Sequence, residues 1–382
     1  MSKHVELGVF IPVGNGGWIP SVTSPDIRST YGYNREVTLL AEQLGLDFAL
    51  SMAKWRGYGG STGHWDYTLE SMTTMAGLAD ATSRIQIWAT VHTMIFHPAV
   101  VAKMAATLDQ ISGGRFGLNL VAGSNPSDQG QMGLWRDLDH RGRYALAEEW
   151  ITAARRLWSE DRVDFDGEFY TLRDCMSYPK PRRHPQVVCA GTSDTGFRFT
   201  ISHCDGCFLS GQSHADLVSR ALRAKEIAAE LGRTTKTYAL LTVIPGETDA
   251  EAQARVDDYN AGVDVEALRT QAFEYGQDVR ENTMARRMVQ NGRDLLAVSE
   301  GSVVGAPETI AATIAGLVLD GDLDGITLIV PDFLDDLRTV ATRVAPLLAE
   351  RGVHTLAATA TATAAATATA AASTMVAAAG RG

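Results

Sequence analysis

The sequence predicts a (β/α)8 TIM barrel with insertions at the C-terminal face of its strands. Eight short apolar, β-branched runs recur along the chain, and amphipathic stretches with helix start and stop residues separate them. Neither GxGxxG nor GxxxxGK[ST], the phosphate loops of open doubly wound sheets, occurs. A chain of 382 residues, 45% hydrophobic and 21% charged, suits one elaborated barrel with a large core.

The first strand is read at Val5 to Pro12 and ends in Gly14-Asn15-Gly16-Gly17-Trp18. Backbone can approach a flat ligand there and the indole can stack on it, or the run serves as a tight turn. The helical stretch Glu36 to Leu44 leads to a second strand, Phe48 to Ala53. Strand alternation sets Leu50, Met52 and Lys54 on one face and Ser51 and Ala53 on the other, an apolar face with one cation at its tip. After a helix at Leu69 to Ala81, the third strand, Ile85 to Val91, delivers His92 near the barrel mouth, where an imidazole can bind or transfer a proton. His97-Pro98 opens the helix Pro98 to Ile111 with Pro in the first turn, so His97 reads as structural. Gly113-Gly114 serves the turn into the fourth strand, Phe116 to Gly123. If Val121 points into the barrel so does Asn119, whose amide then needs partners that a ligand can provide.

The helix Tyr144 to Trp158 starts beside Arg143, so that a guanidinium and a hydroxyl are available to an anion. Asp164 to Pro181 reads as a hairpin excursion before the fifth strand, Val187 to Gly191. That strand runs through Thr192 and Ser193 into a helix whose free N–H groups suit a phosphate, or for which Ser193 is an ordinary N-cap. Gly206 to Gly211, Tyr238 to Ile244 and Gly325 to Pro331 complete the eight strands. Further helices are expected at Asp216 to Leu231, Ile310 to Leu317 and Leu334 to Ala349. Asp264 to Gly301 is polar and lacks a clear strand, either a lid or a mobile loop. Residues 1–351 are expected to form the barrel domain. Residues 352–382, containing only Ala and Thr from Ala357 to Ala372, are expected to form a disordered tail.

A net charge of −11 leaves nucleic-acid binding without an electrostatic footprint, so an anionic ligand must be held locally. No apolar run approaches the roughly 20 residues of a membrane helix, and the N-terminus lacks a signal-peptide layout, so a cytoplasmic location is expected. Cys204 and Cys207 form a lone CxxC without a second pair, and neither HExxH nor a GxSxG nucleophile elbow between strand and helix stands out, so no metal site is assigned. The chemistry is expected to come from a cofactor.

LDQISGGRFGLNLVAG at Leu108 to Gly123, the preceding His97-Pro98, and VVGAPETI at Val303 to Ile310 resemble the bacterial-luciferase-like flavin monooxygenases, over most of residues 5–350. Within that family, GVFIPVGNGGW, FALSMAKWRGYGG, HWDYTLESMTTMAGLADATSRIQIWAT, QMGLW and CAGTSDTG are most similar to the pyrimidine monooxygenases that open the uracil ring. The resemblance implies reduced FMN delivered by a separate NAD(P)H-flavin reductase, O2 as cosubstrate, and homo-oligomers. It also implies a peroxide on the reduced flavin that attacks ring carbonyl carbon C4 and breaks its bond to N3, giving a ureidoacrylate-type product. By matching motif it places Ala53, Lys54, Asn119, Asp128, Arg143, Tyr144 and Ser193 against FMN. The same matching sets Leu50, Met52, Lys54, Thr90 and Asn119 around the flavin edge where oxygen reacts, with Asn119 and Ser124 toward substrate. Ser124 stands where the family commonly has Trp, and Asp128 where it has the longer Glu, which widens the pocket and leaves other heterocycles open. Two other readings are a deazaflavin-dependent oxidoreductase that transfers hydride and a non-catalytic flavin-binding protein.

Overall fold

The computed structural model describes residues 2–122, 126–191, 193–276 and 295–364. Its centre is a closed parallel barrel of β1 (Glu6–Phe10), β2 (Phe48–Leu50), β3 (Gln86–His92), β4 (Phe116–Val121), β5 (Gln186–Cys189), β6 (Gly206–Leu209), β7 (Lys236–Pro245) and β8 (Gly325–Ile329). Each strand pairs with the next in sequence, and β8 returns to β1. All eight predicted strands are present. On all but the third and seventh the predicted C-terminal end lies beyond the last laddered residue.

Alternation divides each strand between two cores. Phe48, Leu50, Trp88, Val188, Phe208 and Tyr238 fill the barrel interior, with Phe10 against them. The Phe48 and Trp88 rings stack at 4.1 Å. Gly8 and Gly117 make room for that pair, since a Cβ at either would collide with the Phe48 or the Trp88 ring. The opposite faces, Leu7 and Val9 on β1 or Ile87, Ala89 and Val91 on β3, pack outward under the helices.

The barrel helices are α1 (Tyr31–Gln43), α2 (Ser71–Ala81), α3 (Pro98–Ser112), α4 (His140–Ser159), α5 (Asp194–His203), α6 (His214–Glu230) and α7 (Pro307–Asp320). An eighth, α8, runs through Asp335–Thr339, a π turn at Val340–Val344 and Ala345–Glu350. His97 caps α3, its Nδ1 accepting the Ala99 N–H, and Gly113 at φ 66° ends that helix, as their sequence context predicts. Arg115 adds a link the motif did not announce. Its guanidinium donates to the carbonyls of Ala79, Thr82, Ile85 and Ser112 and to the Thr82 hydroxyl, tying the end of α2 to the starts of β3 and β4.

The predicted hairpin is present, Val163–Asp166 against Thr171–Cys175. Within the insertion between β7 and α7, the helices Asp249–Ala261 and Val265–Gly276 precede a short strand, Val303–Gly305, that extends the sheet beside β7. The polar stretch 264–301 thus begins as a helix, with Asp264 accepting the Ala267 N–H, and its residues 277–294 lie outside the described residues.

The expected tail boundary differs as well. Val353–His354 pairs with Lys3–His4, and residues 356–364 are helical. Ala357 is fully buried, Ala360 lies against Gly45, and the Thr361 hydroxyl donates to Ala341 O at 3.1 Å. Ala and Thr side chains are short enough to let this helix approach the backbone of its neighbours, a docking mode for which a large apolar stripe is unnecessary. Residues 365–382 lie outside the described residues. Among the described residues no helix is long and apolar enough to cross a membrane.

Candidate functional site

The chemistry-bearing side chains gather where β2, β3 and β4 end. Leu50 belongs to the barrel interior, and the Met52 methyl packs where a Cβ on Gly14 would lie, so the loop after β1 sits on the apolar face that β2 presents. Gly16 and Gly17, at φ 75° and 58°, make the turn. Trp18 lies tilted at 37° to Phe10 with ring centres 4.1 Å apart, meets Trp65 edge-on at 5.1 Å and donates its indole N–H to Phe10 O. Of the two readings of this Gly-rich run, the tight turn is the one the contacts support.

Thr90 and Asn119 face each other across β3 and β4. The Thr90 hydroxyl donates to Ser51 O, so its lone pairs are what it offers to Asn119, whose Nδ2 donates to it at 2.9 Å. That fixes the amide with its oxygen turned away. Asn119 is 7% exposed, and its Oδ1 is buried with no hydrogen-bond partner among the described residues. A buried acceptor without a donor is a ligand-binding feature.

Lys54 reaches over the same mouth. Its Nζ is 3.1 Å from Glu274 Oε2 and 3.6 Å from Asp128 Oδ1, and lies 4.4 Å from the centre of the Tyr58 ring. Asp128 Oδ1 also accepts the N–H groups of Trp55 (2.9 Å) and Arg56 (2.6 Å). Three ionisable side chains, each under a tenth exposed, therefore form one pinned cluster joining the loop after β2, the turn after β4 and the helix Val265–Gly276. Ala53 enters through its backbone, its carbonyl 3.1 Å from His92 Nε2. Burial holds the His92 imidazole pKa below its ordinary value.

A second group lies at the N-terminus of α5. Ser193 accepts the Gly196 N–H at 3.0 Å as the N-cap, and its hydroxyl is 3.0 Å from His140 Nε2. Tyr144, one turn beyond His140 on α4, presses its hydroxyl onto Gly196, where a Cβ would collide with it. Arg143, 4% exposed, donates to Leu138 O at 3.0 Å and lies 5.6 Å from the Trp135 ring centre. A hydroxyl, an imidazole and a phenol thus flank one helix start, a set suited to a phosphate, and the Arg143 guanidinium meets Leu138 and Trp135 on the preceding segment. Thr192 and Ser124 lie outside the described residues. The CxxC cysteines are buried, and Cys207 faces Cys189 in the β5–β6 register on the helix side of the wall.

Sequence reasoning placed Leu50, Met52, Ala53, Lys54, Thr90, Asn119 and Asp128 at one mouth, and Arg143, Tyr144 and Ser193 near one helix start. It missed Glu274, Tyr58, Gln129 and His140. Only His140 carried a local signal, its four-residue spacing from Tyr144 on one helical face. The residues present fit a flavin mononucleotide: an apolar face at Leu50 and Met52, an unpaired buried acceptor at Asn119, and anion donors around Ser193.

The family model of the luciferase-like monooxygenases matches residues 5–322. The pyrimidine monooxygenase RutA of Methylorubrum populi is 40% identical over 352 residues, covering 91% of this chain and 94% of that protein. Among solved structures, riboflavin lyase with modified FMN and riboflavin superposes with a TM-score of 0.79 at 21% identity, covering 92% of this chain and 93% of that one. The long-chain alkane monooxygenase LadA superposes at 0.77 with 20% identity, covering 93% of each chain, and both likenesses are of fold.

Proposed function

The chain belongs to the luciferase-like monooxygenase family, and from this membership we propose that it is the FMN-dependent oxygenase of a two-component system that opens a pyrimidine or related cyclic amide. A separate NAD(P)H-flavin reductase would deliver reduced FMN. When bound, reduced FMN would supply the two electrons that let O2 react. Both oxygen atoms of O2 would end on ring carbonyl carbon C4 as the C4–N3 bond breaks and N3 takes a proton, so that the ring, O2 and the two electrons and two protons of reduced FMN balance as oxidised FMN and a ureidoacrylate-type peracid.

The chain's own residues bind, orient and exclude water. Ser193, with His140 and Tyr144 beside it, would hold the phosphate at the start of α5, and Arg143, one residue before Tyr144, would supply the cation. Leu50 and Met52 would keep water from the reacting edge, as a short-lived oxidant requires. The Ala53 backbone, already tied to His92, would border the isoalloxazine. Thr90 holds Asn119 so that its free oxygen can accept an N–H from the flavin or substrate. Lys54, Asp128 and Glu274 would brace the mouth, which the helix Val265–Gly276 would thereby partly cover. The buried, unpaired Asn119 Oδ1 carries the reading at the site. Ser124 in place of a large side chain would leave space for rings bulkier than uracil.

The test is to load the protein with photoreduced FMN without air, add uracil, admit 18O2 and analyse the products by mass spectrometry. Labelled ureidoacrylate is expected. Reoxidised FMN with intact uracil would overturn uracil as substrate and direct the search to other cyclic amides.

A further inference from the structure

His92 and Gln129 form a second fixed amide in the same mouth. The His92 ring is 5% exposed, and its Nε2 lies 3.1 Å from Ala53 O. A carbonyl oxygen only accepts, so Nε2 carries a proton. Burial disfavours the imidazolium, so the ring is neutral and Nδ1 is a lone pair. Gln129 Nε2 lies 3.0 Å from that Nδ1, and only an amide NH2 can donate to it. These constraints orient the Gln129 amide, with NH2 toward His92 and the carbonyl away. Gln129 is fully buried, yet its Oε1 has no hydrogen-bond partner among the described residues.

Trp55 is in the complementary condition. Its indole Nε1 is buried and likewise lacks a partner among the described residues, so a donor as well as an acceptor is unanswered. The residues on either side of Gln129 tie the Trp55 backbone to this segment. Asp128, next to Gln129, accepts the Trp55 N–H, and Gln131 Nε2 donates to Trp55 O at 2.8 Å.

We propose that Gln129 and Trp55 read the substrate ring, Gln129 Oε1 accepting a ring N–H and Trp55 Nε1 donating to a ring carbonyl. One acceptor and one donor match the N–H and C=O that a cyclic amide presents, and the inference rests on the cyclic-amide reading above. A ring whose nitrogen at this position carries a methyl group leaves the Gln129 oxygen unanswered and is rejected, since a buried polar group stripped of its partner disfavours the complex. His92 is a positioning residue, acting only through the amide it orients.

Equilibrium binding to the protein holding oxidised FMN tests this without turnover, using uracil, 1-methyluracil and 3-methyluracil as probes. Wild-type protein is expected to bind one of the methyl derivatives at least about tenfold more weakly than uracil. In Gln129→Leu that preference falls below about threefold while FMN content is unchanged. In His92→Phe, which keeps the amide but frees it to rotate, the preference narrows to an intermediate value. Trp55→Phe weakens uracil and the better-bound methyl derivative by a common factor, because both keep the ring carbonyls. Retention of the wild-type preference in Gln129→Leu, or in His92→Phe should Gln129→Leu not fold, overturns the assignment. Equal binding of all three probes by wild-type protein also overturns it. A wild-type protein that holds FMN but binds no pyrimidine instead removes the substrate reading of the previous subsection, and this assignment with it.

Discussion

Replacing Lys54 by Met tests whether one buried cation clamps the mouth. Lys54 Nζ is 3.1 Å from a Glu274 oxygen and 3.6 Å from an Asp128 oxygen, and the two carboxylate side chains are 3% and 1% exposed. At an effective dielectric of about 20, each attraction is about 5 kcal/mol before desolvation is counted. Methionine keeps much of the apolar stem but leaves two buried carboxylates without their cation. Breaking a buried pair from one side costs about 3–5 kcal/mol, and Lys54→Met should lose that much in urea unfolding followed by Trp fluorescence. Glu274→Gln alone should cost less, because Asp128 still faces the ammonium. In the double variant Lys54→Met/Glu274→Gln part of the loss returns, since one of the uncompensated charges is gone, with a coupling above about 1 kcal/mol. A loss from Lys54→Met below about 1 kcal/mol, the range of an exposed pair, or strict additivity in the double variant would refute the clamp.

Asn119→Ala should lower turnover about 10–100-fold with the fold intact by circular dichroism, the scale of one buried hydrogen bond, and full turnover would remove Asn119 from the reaction. Gly196→Ala places a methyl group against the Tyr144 hydroxyl and should weaken FMN binding at least about tenfold while leaving riboflavin, which lacks the phosphate, unaffected; fluorescence titration of both ligands separates the outcomes. His64, stacked on Trp65 at 4.9 Å, has its imidazole pKa lowered by burial to about 4. The unfolded chain therefore binds a proton first, so stability is fully present above about pH 6.5 and declines toward pH 4, by up to about 1.4 kcal/mol per pH unit. Urea midpoints at pH 7 and pH 5 should converge in His64→Phe, and an unchanged pH dependence would contradict this account.

The eight strands were legible because each is a short apolar run buried on both faces; alternation sets Phe48 and Leu50 inside the barrel and Ala49 outside, but β2 ends at Leu50, and Met52 joins the outer cluster instead of continuing the interior face. Asn119 was legible for the same reason, since β4 carries it and Val121 on the face opposite Leu118 and Leu120. The clamp was not. Glu274 lies 220 residues from Lys54 on a helix whose sequence reads as one more polar stretch, and nothing local marks it as an ion-pair partner. The helix at 356–364 was illegible for a different reason: its contacts are methyl groups on backbone, which composition cannot distinguish from a solvated Ala/Thr tail.

What the mouth does to a ring depends on a property one step further from sequence, the direction in which each amide points. Thr90 donates to Ser51 O and so must accept from Asn119; His92 donates to Ala53 O and so, when neutral, must accept from Gln129. In both cases a backbone carbonyl beside β2 sets the proton of an intermediate side chain, and that side chain sets the amide. Each amide is left with its oxygen free. The mouth therefore offers acceptors from β4 and from the segment that follows it, answered by the Trp55 indole donor from the loop after β2. Such a surface favours rings rich in N–H groups over tautomers that present nitrogen lone pairs. Protonating His92 would reverse the Gln129 amide and exchange that acceptor for a donor, so the Nε2–H tautomer should be visible by 15N NMR under every condition in which substrate preference is retained.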